Sequence, residues 1–127
     1  MRLLLDSHIF VWWLDDDRRL GQEARNLITD QNNLIHVSAA SIWELEIKQA
    51  LGRLTIRSAE LLPHIAANGF IELPISAEHA VMAARLPRHH ADPFDRMLIA
   101  QALSEALVLL SDDAAMRLYE TPILGAS

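Results

Sequence analysis

"DPFDRMLIAQALSEALVLLSDD" (residues 92–113) decides how this chain folds, because it holds a helix and a buried strand back to back. Asp92 is a good N-cap, and Pro93 then takes the first helical position, where its missing N–H costs nothing. Leu98, Ile99 and Ala102 follow Asp95 by three, four and seven residues and make one apolar stripe on a helix over 92–106. "LVLLS" (107–111) is an unbroken apolar run, bounded by polar residues and too short for another helix. It reads as a strand covered on both faces.

The same unit recurs outward from this stretch. "RLLLDS" (2–7) and "LIHVS" (34–38) are short apolar strands that close on polar residues, and "FIELPI" (70–75) and "PILG" (122–125) are weaker candidates. Helical segments lie between them. "HIFVWWL" (8–14) suggests a short helical turn. "DDDRRLGQEARNLITDQ" (15–31) places Leu20, Ala24, Leu27 and Ile28 at helical spacing. "AASIWELEIKQALGRL" (39–54) is expected to be a helix with Trp43, Ile47, Ala50, Leu51 and Leu54 on its buried stripe, capped by Ser38 or Ser41. "SAELLPHIAANG" (58–69) predicts a further helix ending at Gly69, "SAEHAVMAARL" (76–86) one capped by Ser76, and "DDAAMRLY" (112–119) a short one. Apolar strands alternating with helices predict an α/β sandwich with a central parallel sheet. Residues 1–127 are expected to form one domain. In such folds the functional groups sit beyond the carboxyl ends of the strands.

The bulk composition narrows the function. The 127 residues include 17 Asp and Glu against 11 Lys and Arg, a net charge of −6, so the chain as a whole is no obvious nucleic-acid binder. Two features can reverse that: a metal ion in an acidic cleft, or local concentration of the cations. Lys48, Arg53 and Arg57 lie close in sequence, as do Arg85, Arg88 and Arg96; each group is either a basic patch or ordinary solvated surface. The chain has no cysteine, which removes disulfides and thiolate metal sites and suits a reducing cytoplasm, the expected location. The N-terminal apolar run stops at Asp6, too short for a signal peptide core or a membrane span. Only four glycines occur, at 21, 52, 69 and 125, so no phosphate-cradling GxGxxG or Walker loop exists, and there is no GxSxG elbow.

Acids stand where the fold puts chemistry. Asp6 and Ser7 close the first strand; Ser38 closes the second, and Glu44 follows on its helix; Ser111, Asp112 and Asp113 close the strand at 107–111. Asp95 sits at N3 of its helix, above the apolar stripe. Glu44 shares the side of its helix with Ala40, Ile47 and Leu51. Each acid has an ordinary structural reading. Asp92 caps a helix, Asp95 favours a helix dipole, Glu44 pairs with Lys48 four residues on, and one of Asp112 and Asp113 caps the short helix. Taken together, inward carboxylates converging on one sheet edge repel each other unless a cation holds them. Oxygen-only ligands suit Mg²⁺ or Mn²⁺, which can activate water against a phosphodiester. His8, His89 and His90 show no zinc spacing and are expected to be loop residues near substrate phosphates or at the surface. Trp12, Trp13 and Trp43 are expected in the core or at an interface, with one of the adjacent pair at a lip.

"LLLDSHIFVWWL", "VSAASIWELEIKQALGRL", "HHADPFDRMLIAQAL" and "LVLLSDDAAMRLY" resemble, in order, the four signature regions of the PIN-domain family, and specifically the VapC-type toxins of type II toxin–antitoxin modules. The resemblance spans nearly the whole chain, and "DPFDRMLIAQA" is its most specific part. It implies a three-layer α/β/α sandwich and a ribonuclease that depends on Mg²⁺ or Mn²⁺. It implies Asp6, Glu44, Asp95 and Asp113 as the catalytic, metal-holding acids, with Asp112 at the variable place before the fourth. Ser7, Ser38, Asp92 and Ser111 are implied as supporting or positioning residues. It further implies an RNA substrate, a VapB-like antitoxin and a homodimer or toxin–antitoxin hetero-oligomer. Two other classes compete. A phosphoryl-transfer protein with Asp6 as nucleophile would need a second Asp close behind it, where Ser7, His8 and Ile9 stand. A non-catalytic, decayed nuclease that only binds a partner would not need all the matched acids.

Overall fold

The computed structural model describes residues 1–56 and 60–127. Five strands, β1 (Arg2–Leu5), β2 (Leu34–Ser38), β3 (Ile71–Leu73), β4 (Val108–Leu110) and β5 (Ile123–Leu124), form one sheet in the order β3-β2-β1-β4-β5. All neighbouring strands run parallel. Parallel neighbours need crossovers, and helices supply them. These are α1 (Ser7–Leu14), α2 (Gln22–Thr29), α3 (Ala39–Ala50), α4 (Leu62–Ala67), α5 (Ala77–Arg85) and α6 (Pro93–Glu105), with a 3-10 helix at Ala114–Leu118.

The central strand β1 shows why the sheet has helices on both sides. Its side chains alternate, so Leu3 and Leu5 enter one core while Leu4 enters the other. Leu3 and Leu5 pack with Phe10 of α1, Ala24 and Ile28 of α2, Leu45 of α3 and Ile65 of α4. Leu4 packs with Leu98, Ile99 and Ala102 of α6 and with Met116 and Tyr119. Each fully buried leucine of this kind contributes about 1.5–3 kcal/mol. The result is the expected three-layer α/β/α sandwich.

Two helices depart from the expected boundaries. The helix expected over 58–69 begins only at Leu62, with Pro63 in its first turn. Proline lacks the N–H that an upstream turn would require, so the helix starts around it rather than running through it. Ser58 and Ala59 lie outside the described residues. α3 stops at Ala50, short of Leu54, because the chain turns at Gly52 with φ +69°, a backbone region open to glycine.

The buried face of α3 also differs. Ala40, Ser41, Glu44 and Leu45 face inward, while Trp43, Ile47 and Leu51 are exposed. Ile47 and Leu51 therefore do not share Glu44's side. Trp43, expected in the core or at an interface, is 62% exposed and meets Phe94 edge-on, with ring centroids 5.2 Å apart. Among the described residues no helix is long and apolar enough to cross a membrane.

Candidate functional site

Register places the acids together. Leu5 pairs with Val37 on one side and Leu110 on the other, so Asp6, Ser38 and Ser111 leave the sheet along one edge. Asp6 caps α1, and Ser7 N–H donates to its Oδ1 at 2.6 Å. Ser111 Oγ donates to Asp6 Oδ2 at 2.7 Å, joining β4 to β1 across the edge. Carboxylate oxygens have lone pairs to spare after these bonds. Glu44 is buried, accepts from Ser7 Oγ at 2.6 Å and pairs with Lys48 Nζ at 3.0 Å.

Asp92 caps α6 by accepting from the N–H groups of Phe94 and Asp95 at 2.8 and 3.4 Å. That fixes Asp95 one turn inside, facing Asp6 across a cavity of about 290 Å³ that Asp113 also lines. Burial above all, then the charges of Asp6, Asp92 and Glu44, push the Asp95 carboxyl up to about 8. Burial raises Asp6 as well; the Ser111 hydrogen bond opposes this and Glu44 adds to it. The acids are crowded enough that, without a cation, one of them keeps its proton near neutrality.

The two adjacent acids after β4 separate by role. Asp112 Oδ1 accepts from the backbone N–H groups of Ala126 and Ser127 at 2.6 and 3.2 Å, pinning the C-terminal residues. Asp113 caps the 3-10 helix through Ala115 N–H with one oxygen and turns the other into the cluster. Ser111 Oγ accepts from Asp113 N–H at 3.0 Å, so one hydroxyl orients both Asp6 and Asp113. Ser38 is different. It caps α3 and donates to Gln101 Oε1 at 2.6 Å, and has no bond to the acids.

His90 completes the cluster, and no sequence spacing singled it out. Its Nε2 lies 2.9 Å from Asp113 Oδ2 and 3.0 Å from Asp95 Oδ2. Asp92 N–H donates to Nδ1 at 3.2 Å, so that nitrogen carries no proton and Nε2 holds the ring's hydrogen toward the two carboxylates. Burial works against a charged ring, but the Asp113 hydrogen bond and the charges of Asp95, Asp113 and Asp92 outweigh it and raise the His90 pKa. A second ring proton would have to displace the Asp92 bond. The Asp113 carboxyl moves the other way: burial would raise it, and the His90 contact together with backbone N–H donors brings it below the usual range.

The loop that presents His90 is tied down. Arg96 donates to the carbonyls of Pro87, His90, Ala83 and Leu86 at 2.8–3.2 Å. Tyr119 Oη accepts from His90 N–H at 2.9 Å and donates to Pro87 O at 2.6 Å.

The residues fit a divalent cation. Carboxylate oxygens of Asp95 and Asp113 approach each other closely enough to share one hydrogen-bond donor, His90 Nε2, at 3.0 and 2.9 Å, and Asp6 lines the same cavity as these two acids. Hard carboxylate oxygens in excess negative charge are the donor set for Mg²⁺ or Mn²⁺. The raised Asp95 carboxyl marks the charge such an ion would neutralise.

Residues 3–121 match the family model described as PIN domain. The chain is 30% identical over 123 residues to "Ribonuclease VapC22" of Mycobacterium tuberculosis, covering 94% of this chain and 93% of that protein. Among solved structures it is similar to VapBC2 from Rickettsia felis bound to a DNA fragment from their promoter, with a TM-score of 0.70, 13% identity and full coverage of both chains. It is also similar to VapBC-1 from nontypeable Haemophilus influenzae, with a TM-score of 0.65, 18% identity and 98% coverage of each chain.

Proposed function

This chain belongs to the PIN-domain family, on its VapC branch, and from that premise we propose that it is a Mg²⁺- or Mn²⁺-dependent endoribonuclease, the toxin of a toxin–antitoxin pair, held in check by a VapB-like antitoxin. The observation that carries the reading is the meeting of Asp6, Asp95 and Asp113 around one cavity, with Glu44 behind them and Asp95 raised to about 8. A structural role alone gives no reason to crowd carboxylates around one cavity. RNA as the substrate is supported by the name of the mycobacterial relative, and the antitoxin partner by the complexes among the structural neighbours.

Asp6, Asp95 and Asp113 would hold the ion, with Glu44 completing the set from α3. Bound there, a divalent cation supplies activated water and neutralises charge developing on the phosphate. The chain's own residues do the rest. Ser111 aims Asp6 and Asp113 at one point, and Ser7 fixes Glu44. Asp95 would hold such an ion as the carboxylate, its proton released to solvent. Asp92 holds the helix start that aims Asp95. The exposed apolar stripe of Trp43, Ile47 and Leu51 offers area for a protein partner, either the antitoxin or a second copy. The cytoplasm is the compartment this role requires.

The test is cleavage of RNA by the purified chain, free of antitoxin, with Mn²⁺ or Mg²⁺ and with EDTA. Cleavage by wild type that EDTA removes and Asp6→Asn lacks is the expected result. Metal-independent cleavage, or equal cleavage by Asp6→Asn, overturns the reading. A folded wild-type chain with no activity under any of these conditions favours the decayed, partner-binding alternative.

A further inference from the structure

A second cavity, of about 250 Å³, opens beside the acid cluster and shares His8 and Trp12 with it. Its walls change sign. Where the first cavity is lined by Asp6, Asp95, Asp112 and Asp113, the second is lined by Arg19, Lys48 and Arg53. In a chain of net charge −6, three cations around one small bay are a local reversal. They are not equally committed. Lys48 is paired with Glu44, and Arg19 is paired with Asp17 while its guanidinium lies over the Trp12 ring at 5.0 Å. Arg53 has no acidic partner among the described residues.

The other basic group noted in the sequence does not make an equivalent bay. Arg88 and Arg96 line a cavity on the His90 side, with Arg96 bonded to loop carbonyls, but that cavity shares no lining residue with the acid cavity. The cationic bay continuous with the acid cavity therefore runs past His8 and Trp12 toward the end of α3.

We propose that the bay between α1 and the C-terminal end of α3 is the track for single-stranded RNA flanking the scissile phosphate, with Arg53 and Lys48 taking the next backbone phosphates and the Trp12–Arg19 stack offering a face to a base. This rests on the ribonuclease reading above. A phosphate over the acids forces its neighbours along the strand to lie within a nucleotide or two of it, and this bay is the adjoining surface whose charge attracts them. Aromatic and guanidinium planes are the surfaces on which splayed bases stack, which a paired helix does not offer. The abutment of bay and acid cluster favours a nucleic-acid strand over an acidic peptide, which would gain nothing from a neighbouring patch of carboxylates.

The experiment measures binding of a fluorescein-labelled single-stranded RNA oligonucleotide by anisotropy, across a salt series, in the cleavage-deficient Asp6→Asn protein with and without Arg53→Ala. Arg85→Ala, on the far helix α5, is the control. Loss of one phosphate contact is expected to weaken binding about five-fold near 0.1 M salt and to reduce the slope of log K against log salt by about 0.7. In the active protein, Arg53→Ala should raise KM and leave kcat near wild type. No RNA binding by the Asp6→Asn protein, or an affinity, slope and KM indifferent to Arg53→Ala but normal cleavage, overturns the track while the ribonuclease reading stands. Binding that depends on Arg53 in a chain that never cleaves RNA removes the ribonuclease reading and keeps the track. An Arg53→Ala change that alters binding of a protein partner and not of RNA also overturns the proposal.

Discussion

The imidazole of His90 rests on Asp113, Nε2 to Oδ2 at 2.9 Å, at the point between Asp113 and Asp95 where a cation would neutralise both. Because Nδ1 accepts from Asp92 N–H, the ring offers the acids a hydrogen and not a lone pair. His90→Ala is expected to tighten Mn²⁺ binding by removing this competitor, and to lower the thermal stability of the metal-free protein. Isothermal titration calorimetry decides it. Weaker binding in the variant would make His90 a ligand instead.

The metal-free protein should lose stability as pH rises. Asp95 titrates near the ordinary aspartate value of 3.8 when unfolded and at about 8 when folded, so between these values the folded chain holds more protons than the unfolded one. Stability from this group is complete below about 4 and is lost on passing upward through about 8. Denaturant midpoints measured from pH 5 to 8.5 in EDTA should fall, and saturating Mn²⁺ should flatten the trend. A midpoint that climbs with pH in EDTA would contradict the crowding of the acids.

Asp95→Asn should change stability and activity in opposite directions. The amide keeps the shape and removes the charge, so at pH 8 without metal the variant should be more stable by on the order of 1 kcal/mol or more. Cleavage should fall further than the ~10–100-fold that supporting residues of a metal site cost. Chemical denaturation and a cleavage assay on the same preparation measure the two effects. An active Asp95→Asn enzyme would remove it from the metal-holding set.

Asp112 and Asp113 should part company on substitution. Asp112 binds the backbone of Ala126 and Ser127, so Asp112→Ala is expected to cost about 1–3 kcal/mol of stability and keep its metal affinity. Asp113→Ala should lose metal affinity, because its second oxygen faces the cluster. Melting temperature and Mn²⁺ titration for both variants test the split, and the reverse pattern would exchange the assignments.

Much of this was legible in the sequence, for a physical reason. β1, β2 and β4 are continuous apolar runs that only a doubly covered sheet can accept, and Asp92-Pro93 sets the phase of α6, so Asp95 could be placed to the residue. The face of α3 was not legible. Its largest apolar side chains, Trp43, Ile47 and Leu51, point outward, and the helix instead turns Ser41 and Glu44 inward. Hydrophobic periodicity assumes that apolar area decides orientation; here the acid site and, in the proposed reading, a partner surface claim the two faces. His90 was hidden for another reason. A loop residue has no periodicity, and the groups that aim it, Arg96 and Tyr119, form a network that only the folded chain assembles.

The bond from Ser111 to Asp6 spans 105 residues of sequence, linking the first strand of the sheet to the fourth. Asp6, Glu44, Asp95 and Asp113 come from four separate stretches of the chain, so no fragment and no half-folded intermediate brings the four together. On the proposed reading, such a protein is its own safety catch: until the last of these segments docks the acids stay apart, and any opening of the sheet separates them again.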